Sequence, residues 1–246
     1  MRMMDIGRVR ELVRYPVKSM AGVASEAAFL GAHGLAGDRR YAFRRTRVLL
    51  GMPWLTASRL PELLLYRPIA FDDTSGEPLP THVRTPSGAQ VELRSEALRA
   101  ELAERFRGGV ELVHLDQGIF DETAVSVISL ATIAGIGREA GLELDRRRFR
   151  ANLVLDTEQT NPFLEDAWVG QTLLFGDQDS PPAVKITMCD LRCVMINLDP
   201  ETAAQDARVM KTVTRLNRST AGVYGTVVQT GTIREGDRVR LAVGVS

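Results

Sequence analysis

A chain of 246 residues, 44% of them hydrophobic and 25% charged, can bury one large core or two smaller ones. Its 31 basic side chains balance its 31 acidic ones, which excludes a global field that would draw in nucleic acid or an anionic membrane surface. The opening Met1-Arg-Met-Met-Asp-Ile-Gly-Arg8 carries charge where a signal peptide needs an apolar stretch, and no apolar run approaches the roughly 20 residues that span a bilayer. A soluble, cytoplasmic protein is therefore expected.

In chain order, Val9, Val13, Tyr15 and Val17 share one parity and Arg8, Arg10 and Arg14 the other. That is the period of a half-buried strand, which Pro16 brings to its end. A loop with Gly31, Gly34 and Gly37 leads into residues 38–43, whose latter half reads as a second strand. Residues 72–80 read as a polar loop, broken by Gly76, Pro78 and Pro80. Residues 82–85 and 90–93 flank Pro86-Ser-Gly-Ala89, a hairpin signal. Ser95 is placed to cap a helix with Leu98, Leu102 and Phe106 on one face, stopping at Gly108-Gly109. Ser129 and Gly141 bracket a second helix bearing Leu130, Ile133, Ile136 and Ala140. Strands return at 152–155, 172–175, 184–188 and 193–198, and a third helix covers 209–216. Strands at 223–229 and around Val239, Leu241 and Val243 close the chain, separated by Gly231 and the Gly236-Asp237 turn. Many short strands with few helices predict an α+β fold that is predominantly β and barrel-like. The domain boundary is expected near residue 115.

The two cysteines, Cys189 and Cys193, form no secreted disulfide framework. With His33, His82 and His114 scattered, they suit neither a structural zinc site nor a four-cysteine cluster. Cys193 lies in Met188-Cys-Asp-Leu-Arg-Cys-Val-Met-Ile-Asn-Leu-Asp-Pro200. A free cysteine is more often a small buried hydrophobe than a ligand. Here Arg192 precedes it, and a neighbouring cation favours the thiolate, a soft ligand for a redox-active metal. On an ideal strand the two side chains oppose each other, so Arg192 acts on the thiol only where the strand bulges or begins. Cys189 reads as a packed thiol, with a Cys189–Cys193 redox disulfide as the alternative.

The second constellation is cationic. Lys18 and Ser19 end the first strand, Arg39 and Arg40 begin another, and Arg146-Arg-Arg-Phe-Arg150 precedes Asn152. Most of 146–148 reads as solvated surface. Arginine and lysine delivered from several strand ends to one pocket would fit a phosphate or pyrophosphate. A Gly-Lys-Ser/Thr phosphate loop, a Gly-x-Gly-x-x-Gly after a strand and a Gly-x-Ser-x-Gly elbow are all missing.

Taken together, Tyr15-Pro-Val-Lys-Ser19, Gly37-Asp-Arg-Arg-Tyr-Ala-Phe43, Phe149-Arg-Ala-Asn-Leu-Val154, Arg192-Cys193 with Asp199-Pro200, Gly222-Val-Tyr-Gly225 and Gly231-Thr-Ile-Arg-Glu-Gly-Asp237 resemble the MOSC superfamily over nearly the whole chain. The resemblance implies an N-terminal β-barrel domain at 1–115 and a MOSC-type β-barrel with a few flanking helices at 116–246. Within that superfamily the chain is similar to the mitochondrial amidoxime-reducing component and its bacterial counterparts. This implies a molybdenum cofactor (Mo-molybdopterin) with Cys193 as metal ligand and catalytic residue. Lys18, Ser19, Arg39, Thr123, Arg150, Asn152 and Tyr224 would hold the cofactor, while Glu122 stands where relatives carry a small hydroxyl residue. At superfamily level the resemblance also extends to pyridoxal phosphate binding. The implied activity is reduction of small N-hydroxylated substrates, with electrons from a separate reductase or ferredoxin-like protein. A non-catalytic cofactor carrier, a sulfur-transfer module with Cys193 as a persulfide-bearing nucleophile, or a member that has lost the cofactor are the alternatives.

Overall fold

The structure, a computed structural model, describes residues 2–48, 51–74, 76–118 and 122–243. Its strands are β1 (Arg2–Arg14), β2 (Val23–Ala24), β3 (Ala27–Gly31), β4 (Gly34–Leu35), β5 (Tyr41–Arg45), β6 (Arg67–Asp72), β7 (Leu79–Arg84) and β8 (Gln90–Glu92). Then follow β9 (Val110–His114), β10 (Val125–Ser129), β11 (Leu153–Thr157), β12 (Thr172–Phe175), β13 (Ala183–Leu191), β14 (Thr220–Gln229), β15 (Gly231–Arg234) and β16 (Arg238–Val243). The helices are α1 (Glu96–Phe106), α2 (Leu130–Ala140) and α3 (Arg208–Asn217). Among the described residues no helix is long and apolar enough to cross a membrane.

The alternating first segment is β1, with Val9 and Val13 turned inward. It bonds to β16 on one side and β11 on the other. The ladder β1–β11–β10–β14–β13–β12–β16 thus returns to β1 and closes a barrel of seven strands, leaving its members no free edge. Only β10 and β11 pair in parallel within it, because α2 crosses between them. Gly7 sits at a register shift of β1 with φ 145°, where a Cβ would lie 2.0 Å from the Asp156 carbonyl oxygen, so glycine alone fits. Val9, Leu12, Val127, Leu155, Phe175 and Ile186 are among the residues filling the barrel. Each such side chain contributes about 1.5–3 kcal/mol relative to exposure.

A second core gathers Tyr41, Phe43, Leu55, Tyr66, Val83 and Val110 under the β5–β9 ribbon and the β6–β7–β8 sheet. Helix α1 completes it, with Leu98 and Leu102 fully buried. Ser95 Oγ accepts from the Leu98 amide at 3.3 Å, the expected cap, but the left-handed C-cap is Arg107. A third cluster joins α2 and α3 to β11 through Ile133, Ile136, Val154, Val209 and Val213. Leu30, Leu35 and Ile233 of the β15–β3–β4 sheet pack onto the barrel core, so β1, β3 and β4 share one interior with the C-terminal strands.

Two expectations change. Residues 193–198 are no strand: Val194–Asn197 form a 3-10 turn. Arg148 bonds the Asn197 carbonyl at 2.9 Å and the Asp199 carboxylate at 2.8 Å, and Asn197 Oδ1 accepts from the Met210 amide at 2.8 Å. Those side-chain bonds pull a short apolar run, ambiguous by pattern, out of the sheet. The polar loop is also shorter than its breakers suggest, since Pro80 lies in β7 opposite Phe71. The pairing of β7 with β8 begins only at His82, so Pro80 occupies an edge and its missing N–H is not needed there.

Candidate functional site

The N-terminal half of the candidate site is built where β1 runs out. The Tyr15 amide donates to Asp38 Oδ1 at 2.6 Å, and the Arg39 amide donates to the Tyr15 carbonyl at 2.9 Å. The Lys18 amide donates to the Tyr41 carbonyl at 2.8 Å, and Met20 to Val17 closes a turn at 3.1 Å. Lys18 and Ser19 lie in that turn, both buried, with Ser19 held at φ 66°. A left-handed serine is a strained choice that its surroundings enforce.

From the barrel comes Arg150, itself left-handed at φ 50°, as the C-cap of a 3-10 turn at Arg146–Phe149. Its Nη1 donates to the Met20 carbonyl at 2.7 Å, tying the Lys18–Ser19 turn to the barrel, and its guanidinium lies 4.2 Å from the centre of the Tyr15 ring. Arg39 approaches the same ring at 5.4 Å. Burial pushes the Tyr15 phenol up to about 12, so it stays neutral between the two cations. Burial is the largest influence on Arg39 and works against its charge, but the charge and hydrogen bond of Asp38, with smaller contributions from its other neighbours, leave the net direction upward.

A buried polar chain runs from here to the cysteine segment. Arg39 Nη1 bonds both Asp38 and Asn152 Oδ1, the latter at 2.9 Å. The same Asn152 oxygen accepts from the Ser126 amide at 3.1 Å, and Asn152 Nδ2 donates to the Val13 carbonyl at 3.1 Å. Ser126 Oγ donates to Asp190 Oδ2 at 2.9 Å, and Asp190 Oδ2 pairs with Arg192 Nη2 at 2.8 Å. Arg192 Nε and Nη1 donate to the carbonyls of Ala221 and Phe149, each at 2.6 Å. Arg192 is thus buried and charge-compensated, directed to the carbonyls of Ala221 and Phe149 as a brace for the chain at Cys193. The strand does bulge between Cys189 and Leu191, yet the Arg192 guanidinium is engaged away from solvent.

Cys193 itself is an exposed free thiol at the N-cap of the Val194–Asn197 turn. Cys189 is half-buried in β13; burial, with Asp166 beside it, pushes its thiol up and keeps it protonated. Tyr224 stands opposite Ser126 in the β10–β14 register, near Arg39. Thr123 Oγ1 donates to the carbonyl of Gly225, one residue on, at 3.0 Å, and the Glu122 side chain is exposed. Arg40 does not join this group: it is 2% exposed and makes two 2.7 Å bonds to Glu77. Among the 146–148 arginines, Arg148 is no solvated surface charge, being committed to Asn197 and Asp199. Of the linking members, Ser126 carried no motif signal, while Asp38 and Asp190 stood inside the quoted Gly37–Phe43 and Met188–Pro200 segments without being singled out. Among the described residues no cluster of His, Cys, Asp and Glu could hold a metal ion alone.

A family model described as "MOSC domain" matches residues 103–240, and one described as "MOSC N-terminal beta barrel domain" matches residues 6–109. No curated protein matches the chain. Among solved structures, the YuaD protein from Bacillus subtilis is similar at 13% identity and a TM-score of 0.53, covering 98% of this chain and 97% of that one. YiiM from Geobacillus stearothermophilus is similar at 17% identity and a TM-score of 0.36, over 49% of this chain and 54% of that one.

Proposed function

Because the chain belongs to the MOSC superfamily, whose members generally bind a molybdenum cofactor, we propose that it binds that cofactor through Cys193 and works as an oxidoreductase. The observation that carries this reading is the exposed Cys193 thiol on a segment braced by the buried Asp190–Arg192 pair, at one end of a hydrogen-bonded chain whose other end holds Arg39.

The donor set fits the group. A metal at Cys193 would take one soft protein thiolate and need its remaining sulfurs from a dithiolene, which molybdopterin brings. Its phosphate would be held by groups that are already ordered: the Lys18 cation and the Ser19 hydroxyl in their buried turn, and the Arg39 cation fixed by Asp38 and Asn152. Asn152 has both ends of its amide engaged by protein, so its role is to aim Arg39. Arg150 acts likewise on the Lys18–Ser19 turn. Tyr224 and Thr123 frame the same corner of the barrel.

The bound group supplies two-electron oxygen-atom chemistry. For an N-hydroxylated substrate the N–O bond breaks, two electrons and two protons are taken up, and an N–H bond and water form. The electrons come from a separate reductase or ferredoxin-like protein. The site residues orient the group and keep its phosphate end out of water, while the exposed edge at Cys193 admits substrate.

The test is molybdenum and released pterin per chain, in material from a host that makes the cofactor, for wild type and Cys193→Ala. About one metal per chain in the wild type and its loss or altered coordination in the variant supports the reading; neither metal nor pterin in the wild type sinks it. Reduction of an amidoxime and hydroxylamine panel with a chemical reductant then separates an enzyme from a cofactor carrier.

A further inference from the structure

We propose that the exposed face of α3 is a docking surface for an acidic one-electron donor protein, steered there by Arg208, Lys211, Arg215 and Arg218. The inference rests on the oxidoreductase reading above, which needs electrons from a separate protein.

The four cations follow one another at steps of three, four and three residues, so they form one stripe along α3 and its C-cap. The opposite face, with Val209, Thr212 and Val213, is buried. The side chains of Arg208 and Arg215 are each 60% exposed, and Lys211 and Arg218 are exposed as well. Asp206 pairs with Arg208 at 2.6 Å and Glu139 with Arg215 at 3.0 Å. Among the described residues the side chains of Lys211 and Arg218 have no such partner. Asp166, the carboxylate at the C-terminal end of α3, is turned inward: its Oδ2 accepts from Asn217 Nδ2 at 2.7 Å and its Oδ1 is buried. The chain as a whole is neutral, so the positive surplus is local to this face.

The stripe ends beside the cysteine. Arg218 and Ser219 are both left-handed, at φ 50° and 69°, and the Ser219 carbonyl accepts from the Arg192 amide at 2.8 Å, one residue before Cys193. Leu191 pairs with Thr220 in the β13–β14 register. Leu191 and Val194, on either side of Cys193 in the chain, are 68% and 53% exposed. Apolar side chains next to a charged rim are the make-up of a protein interface, whereas a cationic stripe alone would suit any polyanion. Rim charges speed encounter and hold small, short-lived interfaces of the kind electron carriers form. Two reduced donors, each losing one electron, supply the two electrons that N–O cleavage consumes.

The probe is an acidic plant-type [2Fe–2S] ferredoxin, titrated by calorimetry into the full-length chain purified from a host that makes the cofactor, with its molybdenum content measured in parallel. Saturable binding is expected at about 20 mM salt, weakened about tenfold or more at about 200 mM. Lys211→Glu with Arg218→Glu should weaken it at least about tenfold, while Lys211→Arg with Arg218→Lys restores it. Arg44→Glu with Arg99→Glu changes the net charge equally on the N-terminal domain and should weaken it less than about twofold. All four positions are exposed, so the variants keep the fold. In a molybdenum-loaded chain, absent binding, or binding lowered equally by both charge-reversed pairs, overturns the docking surface and leaves the cofactor reading standing. Binding to vesicles of phosphatidylserine and phosphatidylcholine in equal parts, without binding to ferredoxin, also overturns it. A metal-free chain that still binds through the stripe keeps the surface and sinks the cofactor reading.

Discussion

Replacing Asp190 by alanine strands a buried cation. The side chains of Arg192 and Asp190 are 7% and 2% exposed, and Asp190 Oδ2 is both the partner of Arg192 Nη2 at 2.8 Å and the acceptor of Ser126 Oγ at 2.9 Å. Removing one member of a buried pair costs about 3–5 kcal/mol, because the other charge remains out of water. The lost Ser126 bond adds about 1 kcal/mol. For a chain of 246 residues each kcal/mol moves Tm by about 2–4 °C, so a fall of about 8–24 °C is expected. Urea unfolding should show a lower midpoint at an unchanged slope. Replacing both partners, as Asp190→Leu with Arg192→Met, removes the stranded charge and should recover most of the loss. A loss below about 1 kcal/mol in Asp190→Ala, or a double variant no better than the single one, would refute the view that Asp190 balances Arg192.

Cys193→Ala should leave stability within about 0.5 kcal/mol, because the thiol is exposed; a larger fall in the urea midpoint would mean that Cys193 serves packing. Gly222→Ala should cost at least about 1–2 kcal/mol, since Gly222 has φ 81° and a Cβ there would lie 2.6 Å from the Val127 carbonyl oxygen and 3.1 Å from Arg192 Nη2. An unchanged Tm would contradict that geometry. Burial pushes the Glu165 carboxyl above its ordinary 4.5, against hydrogen bonds from Ser129 and Thr132. Its folded form holds the proton longer than the unfolded chain does, so its contribution is full below about 4.5 and declines as pH rises through the folded value. Glu165→Gln should flatten the stability–pH curve above 4.5, and a curve parallel to the wild type would show that Glu165 does not titrate in this way.

Where the pattern is local, the sequence was readable. The two-residue period through Val9 and Val13 falls in β1, with Tyr15 just past its end, and Ser95 and Ser129 cap the helices that follow them. β10 could not be seen in the same way. All five of its residues are buried, and its last, Ser129, is already the cap of α2, so the strand has no alternation to separate it from the helix. β9 went unread for a related reason: it is short and depends on β5, far back along the chain. β6 also went unread, although it pairs with β7, the next strand along.

By itself the sequence determined the family, through ordered motifs from Tyr15 to Asp237, and a predominantly β chain with three helices among the described residues, two of them opened by their own serine caps. It also marked out Cys193 and the cationic residues as the chemistry-bearing set. Only the tertiary structure decided what each of them does. Arg39 meets Asn152 across 113 positions, and Asp190 meets Ser126 across 64, because barrel closure brings β1, β10, β11 and β13 together. It turned Arg192 into a buried brace, Arg40 into the partner of Glu77, and Arg148 into the anchor of the turn after Cys193. An arginine carries the same charge wherever it stands in a sequence. Whether that charge grips a ligand, balances a carboxylate or faces water is set by which acceptors the fold places within about 3 Å of it.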